Sequence, residues 1–315
     1  MAHERERYLA LNDRVFALYG EGRLAEALDV VDGESEALPG WRSRTSYWRA
    51  CLLGALGRPD ESLATLRSGV DAGLWWRPDW LTTDQDLEPL WDLPDFAEIV
   101  SGSERRQAAA NAGRPERPEV RVFRPAGEPR GLLVALHMYG VTADESAPYW
   151  RSATDDGLLV AVPESTWIQA DGRPCWDEDE AARRDVALAV EEVRAAAPGV
   201  DDLILAGASQ GGMRAIEMTL RGEPGNARAV IGVVAGLADL DLLEETARAA
   251  ARRGVRGWLL TGDRDAAQQA VELLHAQLRD AGLDCRIDVI PGLGHTFPRD
   301  FGERLKATLP FLLGH

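Results

Sequence analysis

The residues of this chain whose types and spacing could do chemistry start at Ser209. It lies in Gly207-Ala208-Ser209-Gln210-Gly211, after the apolar run Leu203, Ile204, Leu205, Ala206 and before a helix-like segment opening at Gly212. A short apolar run reads as a buried strand. G-x-S-x-G between strand and helix puts a serine on a sharp turn, its hydroxyl above the sheet edge. Gly207 and Gly211 lack Cβ atoms, so strand and helix can close around that turn. The N–H groups at the helix start, Gln210 first, point at the same spot and suit a developing oxyanion. The chemistry indicated is nucleophilic attack on a carbonyl. A serine hydroxyl needs a base for this, and the base needs an orienting acid. The strand-like stretch 257–261 runs into Gly262-Asp263-Arg264-Asp265, and 285–290 runs into Pro291-Gly292-Leu293-Gly294-His295. Both candidates lie past the carboxyl end of a strand, where an open α/β sheet builds its site. His295 is the expected base, because His3 and His315 are terminal and His275 lies in the helical run 266–281. Asp263 and Asp265 both fit as the acid.

These groups need a sheet to hold them. Apolar runs at 120–123, 132–136, 158–162 and 229–234 supply further strands, and 179–197 has the pattern of an amphipathic helix. Strands alternating with helices indicate a mostly parallel, doubly wound α/β sheet. The connection at 235–241 is short, so no cap domain is expected there. The stretch 164–178, with Trp167, Cys175 and Trp176, reads as one long loop leaving a strand's carboxyl end. Long loops in that place tend to be functional, so Trp176 is expected to line the acyl or leaving-group pocket.

Residues 119–315 resemble an α/β-hydrolase of the carboxylesterase, phospholipase-type esterase and dienelactone hydrolase group. The resemblance is carried by Leu136-His137, the run Gly207 to Gly212, Gly262 to Asp265, and Gly294-His295. Ser-Gln-Gly-Gly is the closest link to the carboxylesterase branch. The resemblance implies an α/β-hydrolase fold and a Ser209, Asp265, His295 triad, Asp265 being selected by the family's Gly-x-x-Asp pattern counted from Gly262. Asp263 would then cap the turn or pair with Arg264. His137-Met138-Tyr139-Gly140 is similar to the His-Gly-x-Gly turn of esterases, with Met138 in the first glycine's place. By that likeness the oxyanion hole would use Gln210 with Tyr139, or with Met138, and Tyr139 would also face substrate. The implied activity is cleavage of a carboxylic ester or thioester of a small acyl substrate through an acyl-enzyme, with no metal or organic cofactor. A serine peptidase resembling prolyl oligopeptidase is the alternative enzyme, although no propeller-like strand repeat precedes the sheet. A non-catalytic scaffold is the alternative of another class.

That scaffold reading rests on residues 1–100. Leu11, Val15, Leu18 and Leu24, Leu28, Val31 recur at helical spacing, and Gly22-Arg23-Leu24-Ala25-Glu26-Ala27-Leu28 is echoed about 35 residues later by Gly57-Arg58-Pro59-Asp60-Glu61-Ser62-Leu63. The period is close to the roughly 34 residues of tetratricopeptide units, which the two segments resemble. Two units are too few to bury a continuous core, so the module is expected to pack on the hydrolase, covering its mouth, and to offer a surface to a protein or peptide partner. The Trp-rich stretch 74–96 would form the core under the repeats, and 101–118 is expected to be a linker. A formal net charge of −17 argues against nucleic acid and anionic membranes as partners. The start Met1-Ala2-His3-Glu4-Arg5-Glu6-Arg7 has no apolar continuation, which reads as no signal peptide. Cys51, Cys175 and Cys285 are few and far apart and fit a reducing, cytoplasmic setting. Lys306 is the only lysine, a bias expected of a GC-rich bacterial genome.

Overall fold

The structure, a computed structural model, describes residues 2–235 and 244–314. The chain divides into two compact units, Met1–Arg114 with Ile168–Gly172, and Pro115–Trp167 with Arg173–His315.

The first unit is helical. Its elements are α1 (Ala2–Gly20), α2 (Leu24–Glu34), α3 (Arg42–Ala55), α4 (Pro59–Asp71), α5 (Pro78–Thr83) and α6 (Pro94–Ala112). The α1–α2 and α3–α4 turns repeat each other bond for bond. Gly22 and Gly57 take φ of 72° and 71°, and Arg23 and Arg58 donate N–H to Leu18 and Leu53 carbonyls, both at 2.9 Å. Only glycine accepts that left-handed geometry without steric cost. Ala27 and Ser62 hold equivalent places and are fully buried, with Ser62 Oγ donating to the Ala50 carbonyl at 2.7 Å. The core gathers Leu11, Val15, Val31, Trp48, Leu53, Leu66 and Trp76. Trp76 Nε1 donates to the Ser43 carbonyl at 2.8 Å and Trp91 Nε1 to the Leu81 carbonyl at 3.1 Å. The Trp76 ring is buried and the Trp91 ring partly so, each with its one donor satisfied.

The linker expected at 101–118 is corrected by α6, which stays helical to Ala112. Arg-Arg-Gln-Ala-Ala-Ala-Asn-Ala is a run of mostly strong helix formers, and they outweigh the Ser and Gly at its start. Asn111, 5% exposed, then clamps a distant backbone: Nδ2 donates to the Ile168 carbonyl at 2.8 Å, and Oδ1 accepts the Ile168 N–H at 2.9 Å.

The second unit contains β1 (Val120–Phe123), β2 (Gly131–Leu136), α7 (Ala143–Trp150), β3 (Leu158–Pro163), β5 (Arg173–Pro174), α8 (Asp179–Ala196), β6 (Leu203–Ala208), α9 (Gln210–Arg221), β7 (Ala229–Val233), α10 (Glu244–Arg252), β8 (Arg256–Gly262), α11 (Gln268–Asp280), β9 (Asp284–Ile290) and α12 (Phe301–Leu313), while the short strand β4 (Ile168–Ala170) groups with the helical unit. Seven strands form one sheet in the order β1-β3-β2-β6-β7-β8-β9. β1 pairs antiparallel with β3, and the remaining pairs are parallel. β2, β3 and β6 are buried at every residue, as strands covered on both faces must be. Leu132, Val134, Leu203 and Leu205 face one core with Val186, Val190 and Ile216 from the helices, while Leu133, Ala135, Ile204 and Ala206 face the other with Trp150, Phe301 and Leu305. This is the period-two alternation of a strand.

From β2 the chain goes on to β3, on one side, and from β6 to β7, on the other, although β2 and β6 are neighbours. Their carboxyl ends therefore frame the crevice where such sheets bind ligands. The expected connection at 235–241 falls almost wholly on residues 236–243, outside the described residues. The expected loop at 164–178 is replaced in part by the short strands β4 and β5. Among the described residues no helix is long and apolar enough to cross a membrane.

Candidate active site

Ser209 is the N-cap of α9 and has φ 51°, ψ −123°, a left-handed backbone that is uncommon for a residue with a side chain. The surroundings hold it there. Its N–H donates to the Val233 carbonyl at 2.8 Å, tying the turn to the next strand. A Cβ on Gly207 would come within 2.4 Å of the Gly211 backbone, and one on Gly211 within 2.4 Å of the His137 carbonyl oxygen. The two glycines are thus required by close approach of helix, strand and the loop after β2. Gln210 begins α9, so its N–H is one of the four that no carbonyl of that helix can accept.

His295 Nε2 is 2.8 Å from Ser209 Oγ, and its Nδ1 is 3.0 Å from Asp265 Oδ1. The imidazole is 40% exposed and the carboxylate side chain 1%. Asp265 Oδ1 also accepts the Ala267 N–H at 3.0 Å, and Oδ2 takes the Thr261 hydroxyl at 3.4 Å. Burial pushes the Asp265 pKa up, but the bonds from His295, Ala267 and Thr261 outweigh it and hold the carboxyl below its ordinary range. Asp265 is thus ionised at neutral pH and fixes Nδ1 as the protonated nitrogen, leaving Nε2 to accept from Ser209.

Asp263 does a different job. Its Oδ1 accepts the Gly292 N–H at 2.6 Å, and the Arg264 N–H donates to the Leu293 carbonyl at 3.1 Å. The acid-bearing and histidine-bearing loops are stitched together through these bonds. Near the histidine, Phe297 stacks on Tyr149 with ring centroids 4.0 Å apart and meets Trp150 and Phe301 edge-on. Sequence reasoning misses this aromatic anchor. Its members are far apart in the chain, and only Phe297, two residues past His295, gives a local signal.

The loop after β2 is set by His137. Its Nδ1–H donates to the Met138 carbonyl at 2.8 Å, and its Nε2 accepts the Ser165 N–H at 3.1 Å. Full burial pulls its pKa down to about 4, partly opposed by the Met138 bond, so it is neutral. Met138 is buried and Tyr139 half-buried; the Gly140 N–H donates to the Pro174 carbonyl at 2.9 Å. The expectation that Trp176 lines a pocket is corrected. Its side chain is fully buried in the core against the sheet, stacked obliquely on His137 at 4.7 Å, with Nε1 donating to the His137 carbonyl at 3.0 Å. An indole is largely apolar and needs one acceptor; both demands are met inside, beneath the loop. Asp177 and Arg214 are additions to the sequence reading: Arg214 Nε donates to the Trp176 carbonyl at 2.8 Å, and Asp177 accepts from Gln210.

Residues 7–111 match the family model described as "A/B hydrolase-like, N-terminal domain". An uncharacterized protein from Bacillus cereus ATCC 10987 is similar over 97% of this chain and 98% of its own, at 22% identity and a TM-score of 0.55. Zea mays acyl-protein thioesterase 2 is similar over 62% of this chain and 99% of its own, at 18% identity and a TM-score of 0.53. Esterase PE8 covers the same shares at 22% identity and a TM-score of 0.50. No curated protein matches at the sequence level. Likenesses at these identities establish the fold, which is that of the α/β-hydrolases preceded in the chain by a helical N-terminal unit.

Proposed function

We propose that the protein is a serine hydrolase that cleaves a carboxylic ester or thioester through an acyl-enzyme. The observation that carries this reading is the unbroken hydrogen-bonded line from Ser209 Oγ through His295 to Asp265, set on a strained turn at the head of a helix. In this mechanism Ser209 attacks the carbonyl carbon while His295 Nε2 takes the hydroxyl proton. The imidazolium is stabilised by Asp265, and then passes the proton to the leaving oxygen or sulfur. Water repeats the sequence on the acyl-enzyme, with His295 as base again. The oxyanion is met by the Gln210 N–H and by an N–H of the loop after β2, at Tyr139 or Met138. Fold neighbours named as an esterase and an acyl-protein thioesterase favour an oxygen or sulfur leaving group over an amine.

The test is covalent labelling. Ser209 is expected to react with a fluorophosphonate, and Ser209→Ala to abolish both labelling and hydrolysis of p-nitrophenyl acetate, a loss on the order of 10⁴–10⁶-fold. Labelling that survives in Ser209→Ala would sink the assignment.

A further inference from the structure

The side chain of Gln210 makes two bonds that the mechanism above does not use. Oε1 accepts the Trp176 N–H at 2.8 Å, and Nε2 donates to Asp177 Oδ1 at 2.6 Å. The amide is thereby locked in one orientation and grips the turn after β5. That turn in turn holds the loop after β2. Trp176 Nε1 donates to the His137 carbonyl at 3.0 Å, the Gly140 N–H donates to the Pro174 carbonyl at 2.9 Å, and Arg173 Nη1 donates to the Gly140 carbonyl at 3.1 Å. A continuous path therefore runs from the residue after the nucleophile, through a fully buried indole, to the backbone on either side of Met138 and Tyr139.

We propose that the Gln210 side chain, acting through Trp176, is the strut that sets the spacing between the two N–H groups meeting the oxyanion. The proposal rests on the serine-hydrolase reading above. One donor is Gln210's own N–H at the start of α9, and the other belongs to a loop on a different strand. The contact at Gly211 limits how closely helix and loop can approach but does not tie them together. A hydrogen-bonded connection through the fully buried Trp176 does, and Gln210 supplies both one donor N–H and the side chain that starts the connection. Gln210 and Trp176 are positioning residues here: neither side chain needs to touch substrate. Donors aimed at an oxyanion act over short distances, and removing one such donor costs on the order of 10²–10³-fold in rate. A displacement of about 1 Å can cost about 10²-fold.

The experiment uses the full chain and p-nitrophenyl acetate. Gln210→Met keeps the side chain's length and removes both bonds; kcat is expected to fall about 10- to 100-fold with KM within about threefold of the parent. Trp176→Phe removes the bond to the His137 carbonyl together with part of the buried ring, and its kcat is expected to fall in the same manner. Gln210→Glu places a carboxylate against Asp177 and is expected to be as poor as Gln210→Met. The double variant Gln210→Glu/Asp177→Asn keeps the bond from the Trp176 N–H and restores the other with its polarity reversed, since the amide introduced by Asp177→Asn can donate to the new carboxylate. Its kcat is expected to recover to within about threefold of the parent, which a general loss of stability would not produce. A kcat for Gln210→Met within twofold of the parent overturns the strut, as does a rise in KM alone or a double variant no better than Gln210→Glu. Ser209→Ala separates the two readings. If it keeps hydrolysis, the serine-hydrolase reading falls and takes the strut with it. If it abolishes hydrolysis while the Gln210 variants stay active, only the strut falls.

Discussion

At the scale of single residues, two carboxylates two positions apart have different fates. Asp265 is buried and bonded to His295, whereas Asp263 is exposed and braces Gly292. Asp265→Asn is expected to lower kcat by about 10⁴-fold, because the amide favours the wrong imidazole tautomer. Asp263→Asn should cost about tenfold or less. Steady-state rates on one ester check the order, and the reverse order would move the orienting role to Asp263. His137 gives a stability prediction. Its pKa is about 4 in the fold against 6.5 in an unfolded chain, so between these values the unfolded state binds more protons. The stabilisation is complete above pH 6.5 and is lost as pH falls toward 4, by about 3 kcal/mol in all. Urea unfolding from pH 7 to pH 4 should show this slope, and His137→Gln should remove most of it. The serine and the histidine are legible in the sequence because their turns are local. The choice of Asp265 needs a family pattern, since both aspartates sit on one loop and only the folded packing separates them. Trp176 misleads for the same kind of reason. A Trp on a polar stretch looks available, and only the neighbouring His137 carbonyl and the core against β2 and β6 explain its burial.

At the scale of elements, the strand–turn–helix unit closes by direct backbone approach at Gly207 and Gly211. Gly211→Ala would drive a methyl group to 2.5 Å or less from the Leu136 and His137 carbonyl oxygens. Stability is expected to fall by roughly 1–3 kcal/mol, with a larger proportional loss of activity because the loop after β2 moves. A methyl group added at Gly294, beside His295, would meet nothing within 4 Å, so Gly294→Ala should stay within about 0.5 kcal/mol of the parent. Denaturant midpoints for the pair decide this. The same contrast explains what could be read in advance. Six-residue runs buried on both faces, such as β2 and β6, announce themselves by composition. α7 and α12 do not, as each carries an internal proline, Pro148 and Pro310, which argues against helix when seen alone. Strands of two or three residues such as β4 and β5 are below what periodicity can detect.

At the scale of the whole molecule, the two units are not two consecutive stretches of chain. Residues Ile168–Gly172 belong with the helices although they are flanked on both sides by the second unit, and Asn111 supplies both hydrogen bonds of the Ile168 peptide groups. Asn111→Ala should cost about 1–3 kcal/mol, the penalty for leaving partly buried backbone groups unpaired; thermal unfolding of the full chain measures it. Asn111→Asp can accept the Ile168 N–H but cannot donate to the carbonyl, and should fall between the two. The discontinuity has a consequence for synthesis. A ribosome delivers the chain from the N-terminus, so α1–α6 leave the exit tunnel before the segment that completes their unit. Ile168 is 57 positions after Asn111, and at roughly 5–20 residues per second the nascent helices wait several seconds for it. The last segment of the N-terminal unit is thus delivered only when the second unit is already partly made.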